Sequence, residues 1–125
     1  MHGAVTVLLL AALFTTTAAF AQGDADRGRG LYERRCIACH SIDSNRVGPA
    51  HRTVFGRRAG SVAGYDYSAA LRRSTLVWDS VNLDRWLANP EALIPGQKMG
   101  YSVSDPRDRA DLIAYLISIA AEQRP

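Results

Sequence analysis

The densest apolar run in the chain spans Val5 to Phe20, where almost every residue is apolar or threonine. Ala19-Phe20-Ala21 closes it with a small-x-small sequence ahead of Gln22. This pattern predicts a secretory signal peptide over residues 1–21, with a single mature domain over 22–125. Met1-His2-Gly3-Ala4 lacks the Lys or Arg usual ahead of such a run, so an uncleaved anchor is the alternative. The run falls short of the roughly 20 residues a helix needs to span a bilayer, which favours cleavage.

Beyond it the apolar pattern is helical and interrupted. Asp24-Ala25-Asp26 supplies capping and acidic residues for a helix running to about Arg35, with Gly28 and Tyr32 on one face. A glycine there permits close approach of a second backbone. Residues 41–64 carry glycines and Gly48-Pro49 without either periodicity and read as loop. So long a loop belongs in a small domain only if it wraps something. Ser68 caps a short helix over Ala69–Arg73, and Asp79 caps another with Leu83, Trp86 and Leu87 on one side, ended by Asn89-Pro90. Pro95 to Gly100 is turn-rich and holds Met99, the one methionine besides the initiator. Asp105-Pro106 opens a last helix whose stripe is Leu112, Tyr115, Leu116 and Ile119. Its simplest partner is the Gly28/Tyr32 face. No strand alternation or repeat is visible, so the fold class is all-α.

Composition adds little until the cysteines are considered. The net charge of +3, from 15 basic and 12 acidic residues, is modest, and Lys98 is the only lysine. No basic run with interleaved aromatics suggests nucleic acid. The two cysteines stand in Cys36-Ile37-Ala38-Cys39-His40, the spacing of a c-type haem attachment site. A disulfide across two residues would stabilise little. A zinc site would have only Cys36, Cys39, His40 and His51 to draw on. A thioredoxin-like pair would need a βαβ context. Haem attachment is the strongest of these readings, with His40 beside the iron. Met99, in a loop with no helical face to pack from, gains weight as a ligand. His51 is its rival.

These residues occur in a familiar order. With Gly48-Pro49, Phe55-Gly56-Arg57, Tyr67, Trp78, Asn89-Pro90 and Pro95-Gly96-Gln97-Lys98-Met99, the chain resembles the class I c-type cytochromes, of the mitochondrial cytochrome c and bacterial cytochrome c2 type. The resemblance covers about Gly28 to Ile119. It implies short helices and long loops wrapped around one haem c, held covalently through Cys36 and Cys39, with His40 proximal and Met99 distal. It implies that the Pro49 carbonyl accepts the His40 ring N–H, and that Arg57, Tyr67 and Trp78 surround a buried propionate. His51 and Arg52 replace the usual Leu-His, Trp86 stands where a Tyr is common, and Leu71 where Asn is frequent.

The function implied is one-electron transfer by an exported, periplasmic, non-enzymatic monomer among respiratory, photosynthetic or dehydrogenase redox proteins. Two other readings stay open at this point: the haem subunit of a dehydrogenase complex, and a peroxidase-like enzyme with a labile sixth ligand. The lysine-rich docking ring of mitochondrial forms is nearly absent, so partners do not carry over.

Overall fold

Among the described residues five helices form, and each begins on a side-chain cap that takes up backbone N–H groups the first turn leaves free. In the computed structural model, which describes Met1 and residues 22–123, they are α1 (Ala25–Arg35), α2 (Ala69–Arg73), α3 (Ser80–Ala88), α4 (Pro90–Leu93) and α5 (Pro106–Ala121). The segment expected to be the signal peptide lies outside the described residues. The Asp24 carboxylate accepts from the Asp26 and Arg27 amides at 3.0 Å each. Ser68 accepts from Leu71 at 3.1 Å, Asp79 from Asn82 at 2.8 Å, and Asp105 from Arg107 at 2.8 Å. Asn89 does two jobs. Its backbone closes α3, and its side chain accepts from the Ala92 amide at 3.1 Å to open α4. The helix end expected at Asn89-Pro90 is therefore also a helix start, because proline at the first helical position has no N–H to waste.

The two terminal helices cross with backbones in contact. A Cβ added to Gly28 would lie 1.9 Å from the Asp111 carbonyl oxygen, so only glycine fits. Around the crossing, Leu31 and Tyr32 of α1 bury against Leu112, Ile113, Leu116 and Ile119 of α5. The expected stripe is shifted slightly: Ile113 is buried, while Tyr115 is partly buried, its ring 5.3 Å from that of Tyr32. Charge pairs border the same contact. Arg27 reaches Asp108 at 2.7 Å and also Asp111, and Arg35 reaches Asp108 at 3.1 Å. The Asp111 carboxylate is buried and accepts the Asp24 amide at 2.7 Å. Helix α3 packs on both α4 and α5, with Arg109 bonded to Asp84 at 2.7 Å.

The long loop after α1 is irregular but tied down. Gly56 N–H donates to Trp78 O at 2.8 Å, Trp78 N–H to Arg57 O at 2.9 Å, and Ala59 N–H to Leu76 O at 2.8 Å. Among the described residues there is no strand beyond the isolated bridge Arg58–Val77, and the all-α expectation stands. Among them, too, no helix is long and apolar enough to cross a membrane.

Two outcomes follow for stability. Gly28→Val forces two backbones apart and is expected to cost about 2 kcal/mol or more in denaturant unfolding of the haem-loaded protein. For Asp111, burial pushes the carboxyl up, but the Asp24 amide and the Arg27 guanidinium more than offset this and hold it below the usual carboxylate range. Its contribution is thus fully present above the unfolded aspartate value of about 3.9 and lost as pH falls through the lower folded value. Asp111→Asn is expected to lower stability at neutral pH and flatten the acid decline below about pH 4, measured by unfolding across pH.

Candidate functional site

Helix α1 ends by handing its last carbonyls to the motif. Cys36 N–H donates to Tyr32 O at 2.9 Å, and Cys36 O in turn accepts from Cys39 at 3.1 Å and His40 at 2.9 Å. This tight turn brings two free thiols and an imidazole together, with Cys36 partly buried and Cys39 exposed. Burial pushes the Cys36 thiol up to about 11, so it is protonated near neutrality.

His40 is fixed on several sides. Its Nδ1 lies 2.9 Å from the Pro49 carbonyl oxygen, which can only accept, so Nδ1 carries the proton and Nε2 keeps its lone pair. Gly48 lies flat against the ring: a Cβ there would sit 2.1 Å from Cε1, 2.5 Å from Nδ1 and 2.6 Å from Nε2. Nitrogens barely farther than Cε1 put that Cβ above the ring face, since an approach in the ring plane would leave both well behind Cε1. The sequence marked Gly48 only as turn punctuation. Its second role, leaving room for an imidazole, depends on a contact eight residues away that no local pattern encodes.

The His51 ring stacks on His40, centroids 3.9 Å apart and planes 20° apart. The Tyr32 hydroxyl shares a 3.0 Å hydrogen bond with His51 Nδ1. Burial, followed by the neighbouring His40 and Arg57, pushes His51 well below the usual imidazole range and leaves it neutral. Sequence reasoning took Tyr32 as a packing residue alone and missed its hydroxyl contact.

Arg57 and Trp78 are joined through the backbone bonds described above. Arg57 Nη1 donates to Ala50 O at 2.9 Å and to Thr53 Oγ1 at 3.3 Å, while its buried Nε has no partner. Tyr67 is buried, its hydroxyl accepting the Val62 N–H at 3.1 Å. Trp78 is buried edge-to-face with Trp86 at 5.1 Å. Arg58, by contrast, is exposed and donates to Ser74 O at 2.8 Å. A cavity of about 480 Å³ touches Ile42, Asn45, Ala50, Thr53, Arg57 and Val62, but none of the thiols, His40 or Met99, so it is a groove along the loop.

Met99 belongs to a separate segment and is partly buried. Gly96 turns that segment at φ +89°, its N–H donating to Glu91 Oε1 at 2.9 Å, and Gln97 Nε2 donates to Glu91 Oε2 at 3.1 Å. Lys98 Nζ donates to Asp66 O at 3.0 Å.

Comparison with known proteins decides the family. The family model for Cytochrome c matches residues 25–120. The chain belongs to the cytochrome c family. It is 42% identical to the cytochrome c of Cochliobolus lunatus over 101 residues, covering 78% of this chain and 94% of that one. It is 41% identical to the cytochrome c2 of Rhodomicrobium vannielii over 110 residues, covering 85% and 87%. Among solved structures, cytochrome cH from Methylobacterium extorquens superposes with a TM-score of 0.73 at 43% identity, covering 77% of this chain and 99% of that one.

The cytochrome is accordingly an electron-carrying haem protein with one haem c attached through Cys36 and Cys39. Its residues fit that group. Both thiols are free, one His40 nitrogen is uncommitted, and the orphaned Arg57 Nε is a buried donor suited to a carboxylate. Because Gly48 leaves no space above the imidazole, Gly48→Ala is expected to cost about 2 kcal/mol or more and to lower the yield of haem-loaded protein, read by unfolding and by a haem stain.

Proposed function

We propose that the cytochrome shuttles single electrons with its iron ligated by His40 and Met99. The observation that carries this is the 2.9 Å bond from His40 Nδ1–H to Pro49 O, which leaves Nε2 as the one free ligand atom of a ring clamped in place. When bound, haem c supplies a one-electron couple that needs no proton transfer or bond change. The protein's part is to hold, orient and insulate it.

Cys36 and Cys39 would hold the cofactor covalently through thioethers, so that it would not be lost outside the cytoplasm. Met99 offers a soft, neutral thioether, which favours the reduced state and raises the potential. Its loop is braced to Glu91 and Asp66, consistent with a ligand that must stay in place. Arg57 would neutralise a propionate that Tyr67 and Trp78 help to surround, the unpaired Arg57 Nε being the donor left for it. The stacking of His51 on His40 supports Met99 over His51 as the second ligand. His40 and Met99 together would leave no open position for a substrate at the metal.

The mature domain is residues 22–125, exported to the periplasm after loss of residues 1–21. It acts as a monomer between a redox protein donor and acceptor, membrane oxidoreductases among them, and meets no nucleic acid.

An absorption spectrum of the exported protein tests this. A reduced c-type spectrum with a weak far-red sulfur-to-iron band in the ferric form is expected, whereas a high-spin ferric spectrum would favour an enzyme. Met99→Ala is expected to lower the midpoint potential by on the order of 0.1 V or more, within the roughly 0.8 V that axial ligands command. It is also expected to open the iron to added imidazole or cyanide, followed by optical titration.

A further inference from the structure

The resemblance leaves one substitution without a role. His51 stands where the family commonly carries leucine, and it is neither exposed like a surface residue nor packed like an apolar one. Its ring lies nearly parallel to His40, with centroids 3.9 Å and planes 20° apart. It is held there independently of that contact. Tyr32 OH bonds its Nδ1 at 3.0 Å, its backbone N–H donates to Ser41 O at 3.0 Å, and its carbonyl accepts from Val54 at 3.0 Å. Tyr32 in turn is buried in the α1–α5 contact, edge-on to His51 at 5.7 Å and packed on Tyr115 at 5.3 Å. A rigid chain therefore runs from the helix crossing through Tyr32 and His51 to His40.

A single Nδ1–H bond to Pro49 fixes which nitrogen is left for the iron but constrains the plane of the ring weakly, since carbonyl oxygens accept over a broad range of directions, and Gly48 backs the ring with backbone alone. A flat partner stacked on the face constrains that plane directly. Leucine fills the same space without presenting a flat surface.

We propose that His51, anchored by Tyr32, is a positioning residue that sets the rotational orientation of the His40 imidazole and lends polarity to the proximal side of the haem. The proposal rests on His40 as the proximal ligand. Ring orientation sets how the iron d orbitals split, and polarity beside the ligand stabilises the more positive ferric state.

The test uses haem-loaded protein with three variants: His51→Leu, which restores the family's residue, His51→Gln, which keeps polarity without a ring, and Tyr32→Phe, which removes only the hydroxyl. Ferric EPR g values and haem-methyl proton shifts report ring orientation, which a merely structural contact would leave alone. All three variants are expected to shift both signals, and His51→Leu is expected to raise the midpoint potential, with His51→Gln closer to wild type in potential. Unchanged g values and methyl shifts in His51→Leu and Tyr32→Phe would overturn the proposal. So would failure of every variant to yield haem-loaded protein, since the pair would then serve folding. A wild-type spectrum without histidine ligation would instead defeat the reading of His40 itself, which separates the two failures.

Discussion

At Gly28 the backbone of α1 touches the backbone of α5, and most of the molecule is placed by that contact. The helices are too short to be stable alone, so their stability comes from the faces they bury together. Closing them brings the first and last thirds of the domain into register and seats Leu31 and Tyr32 against Leu112, Leu116 and Ile119. It also decides where α1 ends. The haem motif begins at the residue after that end, so the direction in which the thiols leave the helix is set by the crossing. Arg27, Asp108 and Asp111 mark the same contact with charge, and their exposed members add little to its strength.

From this frame the site is assembled by two kinds of bond. Backbone carbonyls orient side chains, as Pro49 does for His40 and Ala50 for Arg57. Tight contacts remove freedom, as Gly48 does beneath the imidazole. Neither needs a large apolar core, which suits a domain whose interior is shared with a cofactor. The family's requirement for one covalent haem and this chain's own economy of buried residues point the same way.

Much of this was legible in the sequence because its signals are local. Asp24, Ser68, Asp79 and Asp105 announce helix starts by short-range hydrogen bonds, and the boundaries they imply agree with the structure. Gly28 was readable as a close-approach position because it shares a face with Tyr32. The haem motif is contiguous, and so is the methionine loop. What was not legible is tertiary. Asn89 as the shared cap of two helices was missed because one residue's two hydrogen bonds cannot be separated by pattern. Gly48 looked like an ordinary turn residue. The Tyr32–His51–His40 chain joins positions 19 and 11 residues apart, so no periodicity could have shown it.

The three backbone bonds between residues 56–59 and 76–78 have a meaning in the polymer physics of the chain. A flexible segment wrapped around a cofactor must give up configurational freedom, and the closure cost grows only as the logarithm of its length, by about 0.6 kcal/mol per doubling. Pinning the segment near its middle divides one large circuit into two smaller ones, each closed by its own contacts. The stretch from Cys36 to Gly56 then becomes a smaller circuit of its own, bounded by the helix end and by the bond to the Trp78 carbonyl. Each circuit closes at a smaller cost than the undivided one would, and the first is tied back to α1 through Tyr32 and His51.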